Sequence, residues 1–189
     1  TLFPSTTLFR STEIKVPYGK GFQIAEIKDE IKVEFIDFAT IEVIEDVEDL
    51  LINAMDNPIG SPKLEDMVSI DDKILIVVND QTRPGPNKVI VKEIIARLLK
   101  KGLDKKQIKF IIATGSHRGP TDEELANMIG SDVVAQFEFI THKCKDLDSL
   151  VYLGESLYNV PIYVNKALDE CTFRSEERRV GKECRSRWW

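Results

Sequence analysis

Two short segments of the chain combine residues that bind anions with residues that move protons. The first is Asn79–Pro86, in which Asp80 and Thr82 precede Arg83 and a proline. The planar fork of an arginine bonds two oxygens of a carboxylate or phosphate at once, and the two prolines of the segment stiffen the backbone that carries it. Asp80 could orient Arg83 or a nearby imidazole. From this segment alone, a ligand-binding loop and a surface turn with Arg83 paired to a local acid are both open.

The second segment is Thr114–Pro120. Gly115 allows a ligand to approach the backbone closely, while Thr114, Ser116 and the N–H groups at the start of the following helix could bind an anion. His117 is one of two histidines in the chain, and it stands beside these small residues. Near neutral pH an imidazole can accept and return a proton. The alternative is an exposed or helix-capping histidine.

Taken together, the two segments offer one arginine fork, one base and a nest of donors for an anion. This combination suits a small hydroxyacid or a phosphorylated cofactor. Neither the phosphate-binding pattern GxxxxGK[ST] nor the dinucleotide pattern GxGxxG occurs in the sequence, so the two most common nucleotide loops are not indicated.

Each segment follows an apolar run that predicts a buried strand. Lys73–Val78 and Gln107–Ala113 are rich in β-branched residues and bounded by polar ones, which is typical of strands covered on both faces. Helical periodicity predicts a helix over Asn87–Lys101, with Gly102 as its C-terminal cap, and a capping box opens a helix over Thr121–Ile129. The other predicted elements are helices at Ile44–Met55 and Lys63–Val68 and strands at Glu13–Gly21, within Phe22–Thr40, at Phe137–Thr141 and, as a fourth strand, at Val160–Val164.

Strands and helices that alternate at this spacing predict an α/β fold. We expect a Rossmann-like, mostly parallel sheet with helices on both faces, preceded by a short β-rich N-terminal segment. Right-handed crossovers bring both polar segments to the carboxyl edge of the sheet, where open α/β sheets bind ligands.

The two ends of the chain are predicted to be non-native. Leu8-Phe9-Arg10-Ser11 can be written CTC TTC CGA TCT, and the reverse complement of those codons reads Arg-Ser-Glu-Glu, which is residues 174–177. Two ends of a folding domain have no reason to be antisense to each other, so both resemble translated sequencing adapter. We therefore expect a non-native head at 1–11, a truncated α/β domain at 12–173 and a non-native tail at 174–189. The alternative is a disordered head and a basic RNA-binding tail.

Composition restricts the function classes. With the head's one basic residue and the tail's six basic and three acidic residues set aside, 19 Lys+Arg and 29 Asp+Glu remain, a net charge of −10. So acidic a chain is a poor nucleic-acid binder. Cys144 and Cys171 lack metal-ligand spacing and predict free thiols in a reducing compartment, so we expect a cytoplasmic protein. No apolar run is long enough for a membrane helix.

The motifs resemble those of the nickel-dependent lactate racemase family, in the N-terminal domain of its members. The patterns DxTRPxP and ATGxHR, in this order and each after a strand, form a specific pair. The resemblance covers essentially all of Ile14–Phe173, and the matching segments are Val16-Pro17-Tyr18-Gly19, Asn57-Pro58-Ile59-Gly60-Ser61 with Leu64-Glu65, Asp80-x-Thr82-Arg83-Pro84-x-Pro86, Ala113-Thr114-Gly115-Ser116-His117-Arg118 and Thr121-x-Glu123-Glu124-Leu125.

The resemblance implies an isomerase that interconverts the enantiomers of lactate with a nickel-pincer nucleotide. In the family one of two histidines takes the hydroxyl proton while the α-hydrogen moves as hydride to the cofactor, and pyruvate forms transiently. By resemblance His117 is one of those histidines and Arg83 binds the substrate carboxylate. The resemblance puts the remaining site residues against substrate or cofactor, and these are Asp80, Thr82, Thr114, Gly115, Ser116 and Arg118.

The chain departs from the family in what it lacks. The second catalytic histidine, the lysine bonded to the cofactor and the nickel ligands are expected beyond its end, together with a C-terminal domain of the same protein. Lys166 is not that lysine, because it has no glycine-rich context. We expect no metal site in this chain and no racemisation by it alone. The alternatives are a non-catalytic anion- or nucleotide-binding α/β module and a racemase or epimerase of another 2-hydroxyacid.

Overall fold

The computed structural model describes residues 11–28, 31–36, 46–83 and 85–176. By its contacts the chain divides into two compact units, one that ends at Val43 and one that begins at Ile44. Within the described part, no helix is both long enough and apolar enough to cross a membrane.

The first unit contains an antiparallel hairpin. Strands β1 (Ser11–Tyr18) and β2 (Gly21–Lys28) pair from Ser11 opposite Lys28 to Tyr18 opposite Gly21. Two residues therefore connect the strands, and the first of them, Gly19, has a φ of 58°, which glycine adopts without strain. The β-rich N-terminal segment is confirmed. Of the one or two strands predicted between residues 22 and 40, the described residues contain one, β2, and residues 29–30 and 37–40 lie outside the described part.

The second unit alternates strands and helices as predicted. Two helices precede the first strand of its main sheet, and four more follow among the later strands. The elements are α1 (Val47–Asp56), α2 (Leu64–Met67), β3 (Ile74–Asn79), α3 (Asn87–Lys101), β4 (Ile108–Ala113), α4 (Asp122–Ile129), α5 (Ser131–Val134), β5 (Glu138–Thr141), β6 (Leu150–Glu155), β7 (Pro161–Asn165), α6 (Lys166–Glu170) and β8 (Phe173–Glu176).

The main sheet has four parallel strands in the order β5-β4-β3-β8. Successive side chains of a strand point to opposite faces, so β3 contributes Ile74, Ile76 and Val78 to one core and Leu75 to the other. The first core includes residues of α3, α4 and α5, and the second includes Ala167 of α6. The prediction of a mostly parallel sheet with helices on both faces is confirmed.

Phe110 of β4 fixes the neighbouring strand in the larger core. Its side chain is fully buried, stacks on Phe139 of β5 with ring centroids 4.6 Å apart, and meets the edge of Phe137 at 5.8 Å. Aromatic pairs of this geometry contribute about 1 kcal/mol each beyond the area they bury. The end of β5 is thereby held beside the end of β4.

The predicted helix ends are present in the structure. Gly102 follows α3 in the left-handed conformation with φ 110°, and its N–H donates to carbonyls of the last turn. Thr121 and Glu124 form the capping box at the start of α4. Each terminus satisfies backbone groups that a helix leaves without partners.

The predicted fourth strand is present, but it lies outside the main sheet. Residues 161–165 do form a strand, β7, but it pairs antiparallel with β6 in a separate two-stranded sheet. A tight turn joins β6 and β7, in which the Ser156 N–H donates to the Val160 carbonyl, whereas a parallel partner needs a long crossover. The fourth place in the sheet belongs to β8, which crosses the predicted boundary between residues 173 and 174. That boundary and the one at 11/12 stay predictions.

Candidate functional site

The two polar segments begin side by side at the carboxyl edge of the main sheet. Strands β3 and β4 are parallel neighbours, and their last residues, Asn79 and Ala113, are paired. The end of β5 closes the other side, since a Cβ added at Gly119 would lie 2.7 Å from the Thr141 methyl group. No side chain larger than hydrogen fits at residue 119 unless the Thr141 side chain or the strand end shifts.

A carboxylate–imidazole pair joins the two segments. Oδ2 of Asp80 lies 2.6 Å from Nδ1 of His117, across 37 positions of sequence. Asp80 is 3% exposed, whereas about half of the His117 side chain is accessible. An ionised carboxylate only accepts hydrogen bonds, so Nδ1 carries the proton of this contact and Nε2 of the neutral ring is left as an acceptor.

The other oxygen of Asp80 holds its own turn. Oδ1 accepts from the hydroxyl of Thr82 at 2.7 Å and from the Thr82 N–H at 3.2 Å. Burial opposes ionisation of this carboxyl, but the hydrogen bonds from Thr82 and His117 outweigh it and hold its pKa below the ordinary value. Asp80 is therefore a charged, rigid anchor for the ring of His117.

Arg83 belongs to the same turn. Its N–H donates to the Asp80 carbonyl at 3.1 Å, and its own carbonyl accepts from the Asn79 side chain at 3.2 Å. Asn87, at the start of α3, in turn donates to Asn79 at 2.8 Å. The guanidinium is exposed and forms no ion pair with any carboxylate of the described residues. A surface turn with Arg83 paired to a local acid is not what these residues form.

Thr114 differs from its neighbours because it faces inward. It is 2% exposed, and its hydroxyl donates to the His142 carbonyl at 2.6 Å. Gly115 has a φ of 57° in the turn that the His117 N–H closes onto the Thr114 carbonyl. Ser116 is exposed. The hydroxyl proton of Thr114 thus stabilises the loop, while Gly115 and Ser116 are the members of this nest that a ligand can reach.

Arg118 is already engaged by a carboxylate. Its two terminal nitrogens each lie 2.7 Å from an oxygen of Glu124, and one of them also donates to the Gly119 carbonyl. The Arg118 guanidinium, aided by the N–H and hydroxyl of Thr121, lowers the pKa of Glu124 to about 2. Among the predicted site residues, Arg118 therefore fixes the loop to the start of α4.

Three residues that the sequence interpretation did not select also lie at this edge. The side-chain nitrogen of Gln81 donates to the Arg118 carbonyl at 3.2 Å, which ties the two loops together. Gln81, Lys88 and Asn127 line a cavity of about 380 Å³ together with Arg83. Gln81 occupies the variable position of DxTRPxP, and Lys88 stands in the first turn of the helix that follows, so their places next to the motif were the available signal.

The second histidine of the chain, His142, lies beside the loop of Thr114. It follows β5, is half-buried, and its N–H donates to the Ile112 carbonyl at 3.2 Å. Burial lowers the pKa of its imidazole. The loop of Thr114 packs against the backbone of His142. Within the described part of the chain, no group of three or more His, Cys, Asp and Glu residues could hold a metal ion.

This is a parallel α/β domain whose carboxyl edge, where open sheets of this class hold ligands, carries an imidazole, a buried carboxylate and a guanidinium without an ion-pair partner among the described residues. The comparison with known families names it further. A family described as "Lactate racemase N-terminal domain" matches residues 18–177, and the chain belongs to that family.

Two curated relatives agree with this assignment. The chain is 33% identical over 159 residues to the lactate racemase of Lactiplantibacillus plantarum and 29% identical over 156 residues to that of Thermoanaerobacterium thermosaccharolyticum. These matches cover 83% and 81% of this chain but only 37% and 36% of the relatives. The chain therefore spans little more than a third of the length of the curated relatives it matches.

Solved structures show the same fold. The lactate racemase apoprotein of T. thermosaccharolyticum superposes with a TM-score of 0.69 at 26% identity, over 87% of this chain and 38% of that one. A Thermotoga maritima protein superposes with a TM-score of 0.55 at 23% identity, over 69% of this chain and 33% of the other, and that likeness concerns the fold alone.

Proposed function

We propose that this chain is the N-terminal part of an enzyme that racemises a small 2-hydroxyacid such as lactate, with His117 as its base and Arg83 as its carboxylate-binding residue. The observation that carries the proposal is the Asp80–His117 pair, formed between the two loops that bear the family motifs. Asp80 also accepts the backbone N–H of Arg83 through its carbonyl, so one residue anchors both proposed functional side chains.

The proton step follows from the tautomer of His117. Because Nδ1 donates to Asp80, Nε2 can accept the hydroxyl proton of the substrate and return it after the configuration at C2 has been lost. Asp80 stabilises the imidazolium that forms in between, in the way that a buried carboxylate orients the histidine of other acid–base pairs. Asp80 acts here as a positioning residue, because it touches only the ring and its own turn.

Arg83 supplies orientation. Its exposed fork can bond both oxygens of the C1 carboxylate, which fixes C2 and its hydroxyl relative to the loop of His117. Ser116 and the backbone at Gly115 complete the polar wall that we propose. Thr114 and Arg118 support this wall from behind, through the contacts they make with His142 and Glu124.

The nickel-pincer nucleotide implied by the family fits this chain only in part. Lys88 lines a cavity beside Arg83 in the first turn of α3, and a cation at a helix N-terminus matches the phosphate of a nucleotide, while Arg83 is left for the substrate. The described residues offer no cluster for the metal itself, so we propose that its ligands come from the part of a lactate racemase that this chain lacks. When bound, such a group supplies the acceptor for the hydride that leaves C2. On this proposal the chain alone does not racemise lactate.

A chimera tests the proposal. Residues 18–173 would replace the matching segment of the L. plantarum lactate racemase, loaded with its cofactor. We expect the chimera to racemise lactate and expect His117→Gln to lower kcat by at least about 100-fold, the usual loss when a general base is removed. Arg83→Gln should mainly raise KM, and Lys100→Gln, which removes the charge of an exposed lysine at the far end of α3, serves as the matched control. A folded, loaded chimera whose rate does not depend on His117 would refute the proposal.

A further inference from the structure

The cavity next to Arg83 has an unusual charge for this acidic chain. Among the described residues that line it are two cations, Arg83 and Lys88, and no carboxylate. Neither cation forms an ion pair with a described residue. Lys88 lies in the first turn of α3, a turn without an acidic residue. A cavity with two unneutralised cations at the positive end of a 15-residue helix favours an anion.

Gln81 adds a requirement of a different kind. The Arg118 carbonyl can only accept, so the amide nitrogen of Gln81 must face it, and the amide oxygen points elsewhere. That oxygen is buried and has no hydrogen-bond partner among the described residues. A buried acceptor without a donor is costly, so it marks a place where a donor is expected. Gln81 itself lines the cavity, so a ligand bound there would lie beside this side chain.

We propose that Gln81 and Lys88 form a subsite beside Arg83 for an oxyanion that also presents an O–H group. Lys88 and the start of α3 bind the charge, and the Gln81 oxygen accepts the O–H. Two sources share this chemistry, namely the phosphate of a nucleotide and a second acidic group on a hydroxylated substrate. The inference rests on the proposed function in one respect: the subsite extends the active site only if Arg83 binds the substrate there.

Inorganic anions give the first test. Below the second pKa of phosphate, dihydrogen phosphate carries one negative charge and two O–H groups, whereas sulfate carries two charges and no O–H group. Electrostatics alone therefore favours sulfate. We expect the 189-residue chain to prefer phosphate by roughly fivefold, the contribution of one hydrogen bond, with shifts of the first amides of α3 in a proton–nitrogen NMR titration.

Three variants assign the effect to residues. Gln81→Met, of similar size, should abolish the preference for phosphate while sulfate still binds, and Gln81→Asn repeats the test if the methionine variant does not fold. Lys88→Gln should weaken both anions by roughly threefold. Lys100→Gln, the same change on an exposed lysine at the other end of α3, should change neither. Preference for sulfate, indifference to Gln81, or no binding at the start of α3 would each overturn the subsite.

Two organic probes separate the sources. If binding of a nucleoside monophosphate depends on Lys88 but not on Arg83, the subsite belongs to a cofactor phosphate. Tartrate is a hydroxyacid with two carboxylates. If its binding depends on both cations, the subsite belongs to the substrate. If neither probe binds, the subsite is refuted. If the anions bind as expected but the chimera is inactive, this inference stands and the racemase proposal is refuted. If the chimera is active but the anions do not bind, the racemase proposal stands and the subsite is refuted.

Discussion

Asp80 is the residue at which most of the site's geometry meets. One buried carboxylate receives the ring of His117 on one oxygen and the hydroxyl and N–H of Thr82 on the other. Its carbonyl closes the turn to Arg83. A substitution of any partner of Asp80 should therefore change the pKa of the Asp80 carboxyl group even where the fold is kept.

Thr82→Val is expected to raise the pKa of Asp80. The variant removes the hydroxyl donor at 2.7 Å and leaves the N–H in place, so one of the bonds that stabilises the ionised form is lost. In the parent chain the pKa of Asp80 is depressed, so its stabilising contribution is complete above the unfolded pKa and disappears as pH falls through the folded pKa. In the variant the loss should still begin at the unfolded pKa, but it should be smaller and be complete at a higher pH, and the free energy of unfolding near neutral pH should fall by about 1 kcal/mol.

Carboxyl carbon NMR measures this pKa directly. Thr172→Val is the matched control, because the Thr172 hydroxyl donates to Asp72 at 2.7 Å and is the main cause of that carboxyl's lowered pKa. The control should raise the pKa of Asp72 and leave Asp80 unchanged. An unaltered Asp80 titration in Thr82→Val would show that the hydroxyl does not bind the carboxylate in solution.

For single residues, the sequence indicated which side chains could do chemistry, but it did not indicate which groups they contact. That Asp80 could orient an imidazole follows from chemistry and from the two strands that precede the loops. The bond from Thr114 to the His142 carbonyl and the bonds from Arg118 to Glu124 depend on how β5 and α4 pack against the second loop. Nothing in ATGxHR tells whether its threonine and arginine face a ligand or the protein.

Among the elements, Arg97 of α3 connects three helices through one side chain. It is 8% exposed and contacts Glu93 of its own helix, Asp56 at the end of α1 and Glu65 of α2 at 2.7 to 3.0 Å. Burial opposes its charge, but these carboxylates outweigh burial and raise the pKa of the guanidinium. One oxygen of Glu65 remains buried without a described partner, so the cluster depends strongly on its single cation.

Arg97→Ala should therefore destabilise the second unit severely. The substitution leaves three carboxylates facing one another without a cation, and breaking a buried pair in this way costs about 3 kcal/mol or more. Urea unfolding followed by circular dichroism measures the loss. Lys100→Ala, on an exposed site of the same helix, should change the free energy of unfolding by less than about 0.5 kcal/mol. Equal stability of the two variants would mean that the cluster is solvated rather than structural.

Elements with strong periodicity were predictable, and pairing partners were not. The apolar runs of β3 and β4 and the cap at Gly102 are local signals, and the structure confirms them. Strand β7 has an exposed pattern over most of its length, which an interior strand of a parallel sheet does not have. Its antiparallel partner is β6, a segment for which the sequence analysis predicted no strand. The short turn between β6 and β7 was the available signal.

For the molecule as a whole, one observation supports the proposed boundary of the native sequence at residue 173, and another places structure beyond it. We propose that residues 1–11 and 174–189 are translated adapter, because Leu8–Ser11 and residues 174–177 can be written with codons that are antisense to each other. The family match nevertheless extends to residue 177, and β8 pairs Phe173, Arg174, Ser175 and Glu176 with β3. A strand pairs through its backbone, so a short segment of foreign sequence can continue a ladder that Phe173 begins.

Truncation separates the contribution of that backbone from the contribution of Phe173. The chain of residues 11–176, which keeps β8 and its ladder, serves as the reference for these truncations. Ending the chain at Thr172 removes β8, and with it the partly buried Phe173 that packs on the larger core, and should cost about 2 kcal/mol. A chain that ends at Phe173 should recover most of this loss if the aromatic ring matters more than the three residues after it. Recovery only when residues 174–176 are restored would instead show that these residues stabilise the sheet, and would argue against their being foreign to it.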